Sequence, residues 1–307
     1  MFPTIPANSA TAASGNDEGI FGYGGTGGGA YTAITNLVSN AGVVASDVAG
    51  VGTPRQYTTA CEYGGDKGIF GFGGDGSDAT PSHNQTNLVS DTGVVASDQA
   101  ATTGTARGFL AACKYSDDKG IFGYGSGGPV ASKVSITNKV SNAGVVASDT
   151  AGVGTARVSL AACEYGGDKG IFGFGTTGSS VSITNLVSNA GVVASDQAAT
   201  TGTARQYLTA CSYGGDKGIF GYGSGSSQPT NLVSNTGVVS SDVAGVGTDK
   251  AVPAATQYDG DKGIFGFGSG ASYLNITNLV SNAGVVASDQ AATTGTARNG
   301  LGACSFN

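Results

Sequence analysis

Charge is scarce in this sequence. Charged residues make up 11% of its 307 positions, against roughly 25% in an average globular protein. The surface must therefore be wetted mainly by Ser, Thr, Asn and backbone. The few charges sum to −7, which argues against a nucleic-acid phosphate backbone as partner. No apolar run approaches the roughly 18 residues of a membrane helix. The opening MFPTIPANSATAAS has neither the basic nor the apolar stretch of a secretory signal. Synthesis in the cytoplasm with reduced thiols is the expectation. There is one histidine, His83, so at most one Ser/His/Asp triad could find a base. No stretch holds helical periodicity for three turns.

Glycine and repetition are abundant instead. The 55 glycines do not spell disorder, because apolar residues recur at fixed places between them. The phrase GIFG followed by Tyr or Phe and Gly begins at Gly19, Gly68, Gly120, Gly170, Gly218 and Gly263. Each copy is followed by TNLV or TNKV, then by GVVAS or GVVSS and Asp. A segment then starts with Arg or Lys and ends near Ala-Cys-x-Tyr. Each unit reads as four short strands joined by tight turns, with Gly42 and its equivalents supplying positive φ. Four antiparallel strands roughly every 50 residues, six times over, predict an all-β six-bladed β-propeller.

The chain starts in mid-unit and finishes on a lone first strand, 298–306. The expectation is a ring in which that strand completes the blade begun at 18–47, one strand joined to three. The other blades are 55–98, 107–149, 157–196, 205–242 and 250–289, and residues 1–16 read as a flexible arm ahead of a single domain, 17–307. The GIFG phrase ends alternately in Tyr (23, 124, 222) and Phe (72, 174, 267), and the following loop alternates in length. This predicts pseudo-threefold blade pairs. Within the phrase, Phe21 and Tyr23 are expected on one face, with Ile20, Gly22 and Gly24 on the other.

Five cysteines fall in one repeat column, with Thr256 in the sixth place. Equivalent points on packed sheets lie ~10 Å apart, too far for a disulfide. Small apolar packing is the expectation, with a ring of thiols as the alternative. Arg55, Arg107, Arg157, Arg205 and Arg298, with Lys250 sixth, open the first strand, and Asp47, Asp98, Asp149, Asp196, Asp242 and Asp289 close the fourth. They read as structural ion pairs and turn hydrogen bonds, or else as a charged rim for a ligand. The Asp-Lys turns such as Asp66-Lys67 lack the spacing and closing Glu of a calcium loop. No metal or cofactor is expected. The unrepeated loops after the GIFG phrase carry Tyr31, Asp75, Asp78, His83, Lys133 and Tyr273, the candidate ligand-binding residues.

The segment RGFLAACKYSDDKGIFGYGSG, at 107–127, resembles a kelch motif. The longer phrase DKGIFGYG … TNLVSNAGVVASD … GVGTAR is similar to propeller repeats in virion proteins of tailed bacteriophages. That resemblance implies a non-enzymatic module on a virion, tail or extracellular surface, docking a protein partner or a host glycan through propeller-face loops. A lectin-like propeller is the alternative reading, and a glycosidase-type hydrolase the third.

Overall fold

The structure is a computed structural model that describes residues 16–74, 83–100, 102, 104–127, 132–225 and 228–307. The expected arm, apart from residue 16, lies outside these residues. The described chain is all β, with twenty-three strands, and no helix in it is long and apolar enough to cross a membrane.

Each unit forms a three-stranded antiparallel sheet. Its middle strand is the GIFG strand, as at Lys67–Gly71. On one side lies the cysteine strand, as at Thr59–Tyr63, and on the other the TNLV strand, as at Thr86–Val89. In the first unit the cysteine strand is Gly302–Phe306, which pairs with Glu18–Gly22 in unbroken register from Glu18 opposite Phe306 to Gly22 opposite Gly302.

Two expectations change. The GVVASD segment does not form a regular fourth strand. It returns beside the TNLV strand through one isolated bridge per unit, such as Val38 with Val44 and Val89 with Val95. The reason is a side chain: Asn36 Nδ2 donates to the Ala45 carbonyl at 3.0 Å and to Asp47 at 2.9 Å, so the asparagine holds the segment where a ladder would otherwise run. The expected first strand from Arg107 to Tyr115 also breaks. It splits into Arg107–Gly108 and Ala111–Tyr115 because Phe109 adopts φ 56°.

A third expectation fails on the same ground. Tyr23 has φ 66°, so its side chain swings away from Phe21. Tyr23 packs with Ile20 and Phe70 on one side of the sheet, and Phe21 with Ile264 and Phe267 on the other. The φ is positive at the equivalent Phe72, Tyr124, Phe174, Tyr222 and Phe267. Left-handed aromatics are uncommon, and here the conformation gives each unit one ring for either neighbour.

Glycine sets how closely the sheets approach. A Cβ on Gly22 would lie 2.7 Å from the Phe70 ring, and one on Gly71 would lie 2.7 Å from Phe122. The series continues with Phe172 on Gly123, Phe220 on Gly173, Phe265 on Gly221 and Phe21 on Gly266, returning to the first unit. The cysteines repeat the device one residue pair away. Cys304 Sγ fills the space over Gly68, Cys61 that over Gly120, and Thr256 that over Gly19. All five cysteines are free and buried, and burial pushes the Cys113 and Cys61 thiols up. The column is a row of knobs on glycine holes.

Gly71→Ala is accordingly expected to cost about 3 kcal/mol, the upper end of overpacking penalties, because the Phe122 ring it meets is itself fixed edge-on against Phe72 at 5.1 Å. Gly167→Ala, with open space around it and φ 79°, should cost about 1 kcal/mol from backbone strain alone. Urea titrations of both variants check the contrast; equal costs would contradict close packing at Gly71.

The basic column is interior, while the aspartate column is partly exposed. The five arginines and Lys250 are almost wholly buried, so they form no exposed rim. Arg107 donates from Nε to the Tyr124 carbonyl (2.7 Å), from Nη1 to the Thr105 carbonyl (3.1 Å) and from Nη2 to Asn138 Oδ1 (2.6 Å). Its guanidinium lies over the Phe72 ring of the preceding unit, 4.5 Å from the centroid. Equivalent cation–π contacts link every unit to the one before, including Arg298 over Phe267. Asp149 stands 3.9 Å from Arg107 and accepts from the Thr105 backbone and hydroxyl. Burial would raise the Asp149 carboxyl, but the Thr105 and Asn138 hydrogen bonds outweigh it and hold the group below the usual range.

The Tyr/Phe alternation has a bonding basis too. The hydroxyls of Tyr23, Tyr124 and Tyr222 donate to the carbonyls of Val51, Val153 and Val246 in the shorter loops, each at 3.1 Å. In the longer loops Asn84 and Asn275 hold the chain instead, through the Thr102 and Thr293 carbonyls at 2.9 Å.

Candidate functional site

The six cysteine strands enclose a common space. One cavity of about 100 Å³ is lined by residues from all six strands and the segments leading into them. A second, of about 50 Å³, continues beyond it and is again lined by all six. Ala60, Ala112, Ala162, Ala210, Ala255 and Ala303 border both. A larger side chain at that column would close the waist.

The larger cavity opens between residues that vary among the units: Tyr57, Phe109, Ser159, Tyr207, Val252 and Gly300. All six have positive φ, between 53° and 65°. Their backbones form a collar, in which the amides of Ser159, Tyr207, Val252 and Gly300 donate to the carbonyls of Phe109, Ser159, Tyr207 and Val252 at 2.8 to 3.2 Å. Positive φ is costly for Val252 in particular. Tyr57 stacks on Phe109 with centroids 3.8 Å apart, and Tyr207 meets Phe109 edge-on at 6.5 Å. These three rings are half-buried. Behind them, Thr58 Oγ1 and Ser159 Oγ are buried without a hydrogen-bond partner.

The smaller cavity is lined by another variable column, which includes Glu62, Lys114, Glu164, Ser212 and Gln257. Lys114 Nζ lies 3.4 Å from Glu62 and 3.1 Å from Glu164, and Ser305 donates to Glu62. Burial pushes the Glu164 carboxyl up to about 8; Lys114 opposes this and Glu62 adds to it. Burial also disfavours the charged form of Lys114, but its two carboxylate neighbours outweigh that and hold it above the ordinary lysine range.

The sign of the Glu164 effect is clear. Its folded pKa lies above its ordinary value of 4.5, so its contribution to stability is complete below about pH 4.5 and is lost as pH rises through about 8. Glu164→Gln is expected to flatten stability between pH 5 and 8.5, measured by urea denaturation at each pH. A wild-type slope in the variant would refute the assignment.

The residues singled out from the sequence sit elsewhere. Asp75 and Asp78 lie outside the described residues. His83 is half-buried, with Nδ1 3.2 Å from Gln85 Oε1. Lys133 is exposed in a short strand, Ser132–Lys133, opposite Ser126. Tyr31 pairs with Gly25, and the Tyr273 ring rests close to Gly27 in that same hairpin. Tyr31 and Tyr273 are thus on neighbouring hairpins, while His83 and Lys133 belong to other units. Antiparallel connectivity puts these loops at the same end as the aromatic mouth, as the Gly25–Asn299 bridge beside Gly300 shows.

The sequence reading missed Tyr57, Phe109, Tyr207, Glu62, Lys114 and Glu164. A signal was present. The residue after each column cysteine changes from Glu to Lys to Glu to Ser while the cysteine before it and the tyrosine after it stay fixed, and the second residue after each column arginine varies as well. Among the described residues, no cluster of three or more His, Cys, Asp or Glu is arranged to hold a metal. No family model and no curated protein matches this chain.

Proposed function

We propose that the chain is a closed six-bladed β-propeller acting as a non-enzymatic docking module within a larger particle. The cyclic order of interunit contacts supports the architecture. Turn amides of Gly64, Ser116, Gly166, Gly214, Asp259 and Asn307 donate to the carbonyls of Asp118, Asp168, Asp216, Asp261, Asp17 and Asp66, so that each unit bonds the next and the sixth bonds the first. The alternation of bonded loops supports pseudo-threefold pairs of blades.

One observation carries the docking role. Val43, Val94, Val145, Val192, Val238 and Val285 occupy the same hairpin position in every unit and are 61–66% exposed. Isolated exposed valines need no explanation, but six at equivalent positions offer a partner one repeated apolar contact. They lie at the end opposite the aromatic mouth, by the alternation of strand direction. The partner is a protein with repeated apolar contacts of its own. The similarity to phage propeller repeats is the ground for placing it in a virion or tail.

The experiment is size-exclusion chromatography with native mass spectrometry of tagged chain recovered from its natural source. The expected result is a large assembly of fixed stoichiometry. The triple variant Val94→Asp, Val192→Asp, Val285→Asp should fold normally and elute free of it. Elution of the parent chain as a lone monomer would overturn the reading.

A further inference from the structure

We propose that the outer edges of the first, third and fifth units pair with the same edges of further copies of this chain, strand against antiparallel strand. This goes beyond the docking reading: the contact is a different one, and its partner is a second copy.

The observation is a row of unused backbone groups. The inner strand of each unit lines the common cavities, so the GVVASD segment is the outermost part of its sheet. In the first unit the Ser39 amide donates to the Val43 carbonyl and the Ala45 amide to the Leu37 carbonyl, while Asn36 donates to the Ala45 carbonyl. Val43 and Ala45 thus turn their carbonyls and the Ala45 amide inward, and Val44 and Ser46 turn their groups outward. Among the described residues these outward amides and carbonyls have no partner. Val146 and Ser148 repeat the arrangement in the third unit, and Val239 and Ser241 in the fifth. There the Ser241 carbonyl accepts one bond from the Ser240 hydroxyl and keeps its second lone pair.

The other three units are closed. Gln99, Gln197 and Gln290 fold their side-chain amides back onto the carbonyls of Ser97, Ser195 and Ser288, each at 3.2 Å. In the open units that position holds Val48, Thr150 or Val243, which bridges back to Thr35, Thr137 or Thr230 and keeps the segment extended. Val48 and Val243 are 48% and 50% exposed. Bare sheet edges are commonly guarded by lysine or proline, and the open segments, 42–50, 144–152 and 237–245, contain neither.

An antiparallel edge is its own complement, which points to a second copy. A two-fold axis at Ala45 sets Val44 of one copy opposite Ser46 of the other, and the reverse. Each such pair exchanges two hydrogen bonds between groups that now make none. Charge permits the contact. The one charged residue of the edge, Asp47, is engaged by Asn36 and Thr296, and the axis sends the two Asp47 side chains to opposite ends of the pair. Three open edges per copy carry the pairing sideways past a dimer.

The test is sedimentation velocity of the purified chain from micromolar to millimolar concentration, with hydrogen exchange at both ends of that range. Oligomers larger than a dimer are expected on concentration. Exchange at 44–46, 146–148 and 239–241 should then slow, while that at 95–97, 193–195 and 286–288 should not; this pattern is read on the parent chain and needs no variant. The triple variant Ser46→Pro, Ser148→Pro, Ser241→Pro removes one outward N–H from each open edge, at positions where an outer strand accommodates proline. It should melt like the parent and associate about thirtyfold more weakly, the span of two hydrogen bonds. Ser97→Pro, Ser195→Pro, Ser288→Pro, in the closed units, should associate like the parent. A monomer at every concentration, association undiminished in the first variant, or exchange that slows equally in all six segments would overturn the proposal. The docking variant changes Val94, Val192 and Val285, all in closed units, so it should self-associate normally. A purified chain that stays monomeric while the natural assembly persists would end this proposal and leave the docking reading standing.

Discussion

Deleting residues 298–307 is expected to abolish cooperative folding. The segment supplies the cysteine strand of the first unit, with five residues in register against Glu18–Gly22. Its side chains serve three units. Arg298 donates to the Tyr23 carbonyl and to Asn36 and lies over Phe267 of the unit before. Cys304 fills the hole over Gly68 of the unit after. Phe306 is fully buried. Burial of Leu301 and Phe306 alone is worth roughly 1.5–3 kcal/mol each, and losing the buried arginine exposes its acceptors as well. The total approaches the roughly 5–15 kcal/mol that holds a whole domain. Circular dichroism melts and limited proteolysis of the shortened chain measure it. A synthetic 298–307 peptide should restore a transition whose midpoint rises with peptide concentration. A parental melt without the peptide would show that the segment is dispensable.

Arg107→Ala should cost about 3–5 kcal/mol, because it leaves buried polar partners uncompensated. The Tyr124 carbonyl and Asn138 Oδ1 lose their donor, and the Phe72 ring loses the cation above it. Arg107→Lys should cost less than half as much. The sixth unit already contains that exchange: Lys250 reaches Asn278 Oδ1 at 2.5 Å and Asp289 at 3.3 Å while sitting 4.7 Å over Tyr222. Chemical denaturation of both variants decides between a role in packing and hydrogen bonding, which ranks Ala far below Lys, and a role in surface charge, which would leave both near the parent.

The repeat made most of the strand pattern readable. Strands at the GIFG and TNLV phrases lie where periodicity puts them, and the terminal pairing of Glu18 with Phe306 follows from the incomplete first unit. The turn away from regular strand at Phe109 was not readable, since nothing in Arg-Gly-Phe-Leu marks a left-handed phenylalanine; the interunit collar imposes it. The flip of Tyr23 escaped for the same reason. Simple alternation holds only while φ stays extended, and Tyr23 departs from it at 66°. GVVASD looked like a strand because its valines are β-formers, but Asn36 reaches the Ala45 carbonyl. The site is not legible from the unrepeated loops, because the informative variation lies inside the most regular strand. Glu62, Lys114 and Glu164 differ at one column whose neighbours are constant.

The pairing of the chain's two ends has an architectural consequence. Gly302–Phe306 sits beside Glu18–Gly22 as the equivalent strand does in every other unit, so that sheet holds its register without a short turn joining the two strands. A circular permutant, with the old termini joined by a short flexible tether and new ones opened at an exposed hairpin such as Asn189–Ala190, would keep the register of every sheet. In the closed ring proposed above, each of the six units would offer such a hairpin for new ends, so that a fusion could be aimed from any of them.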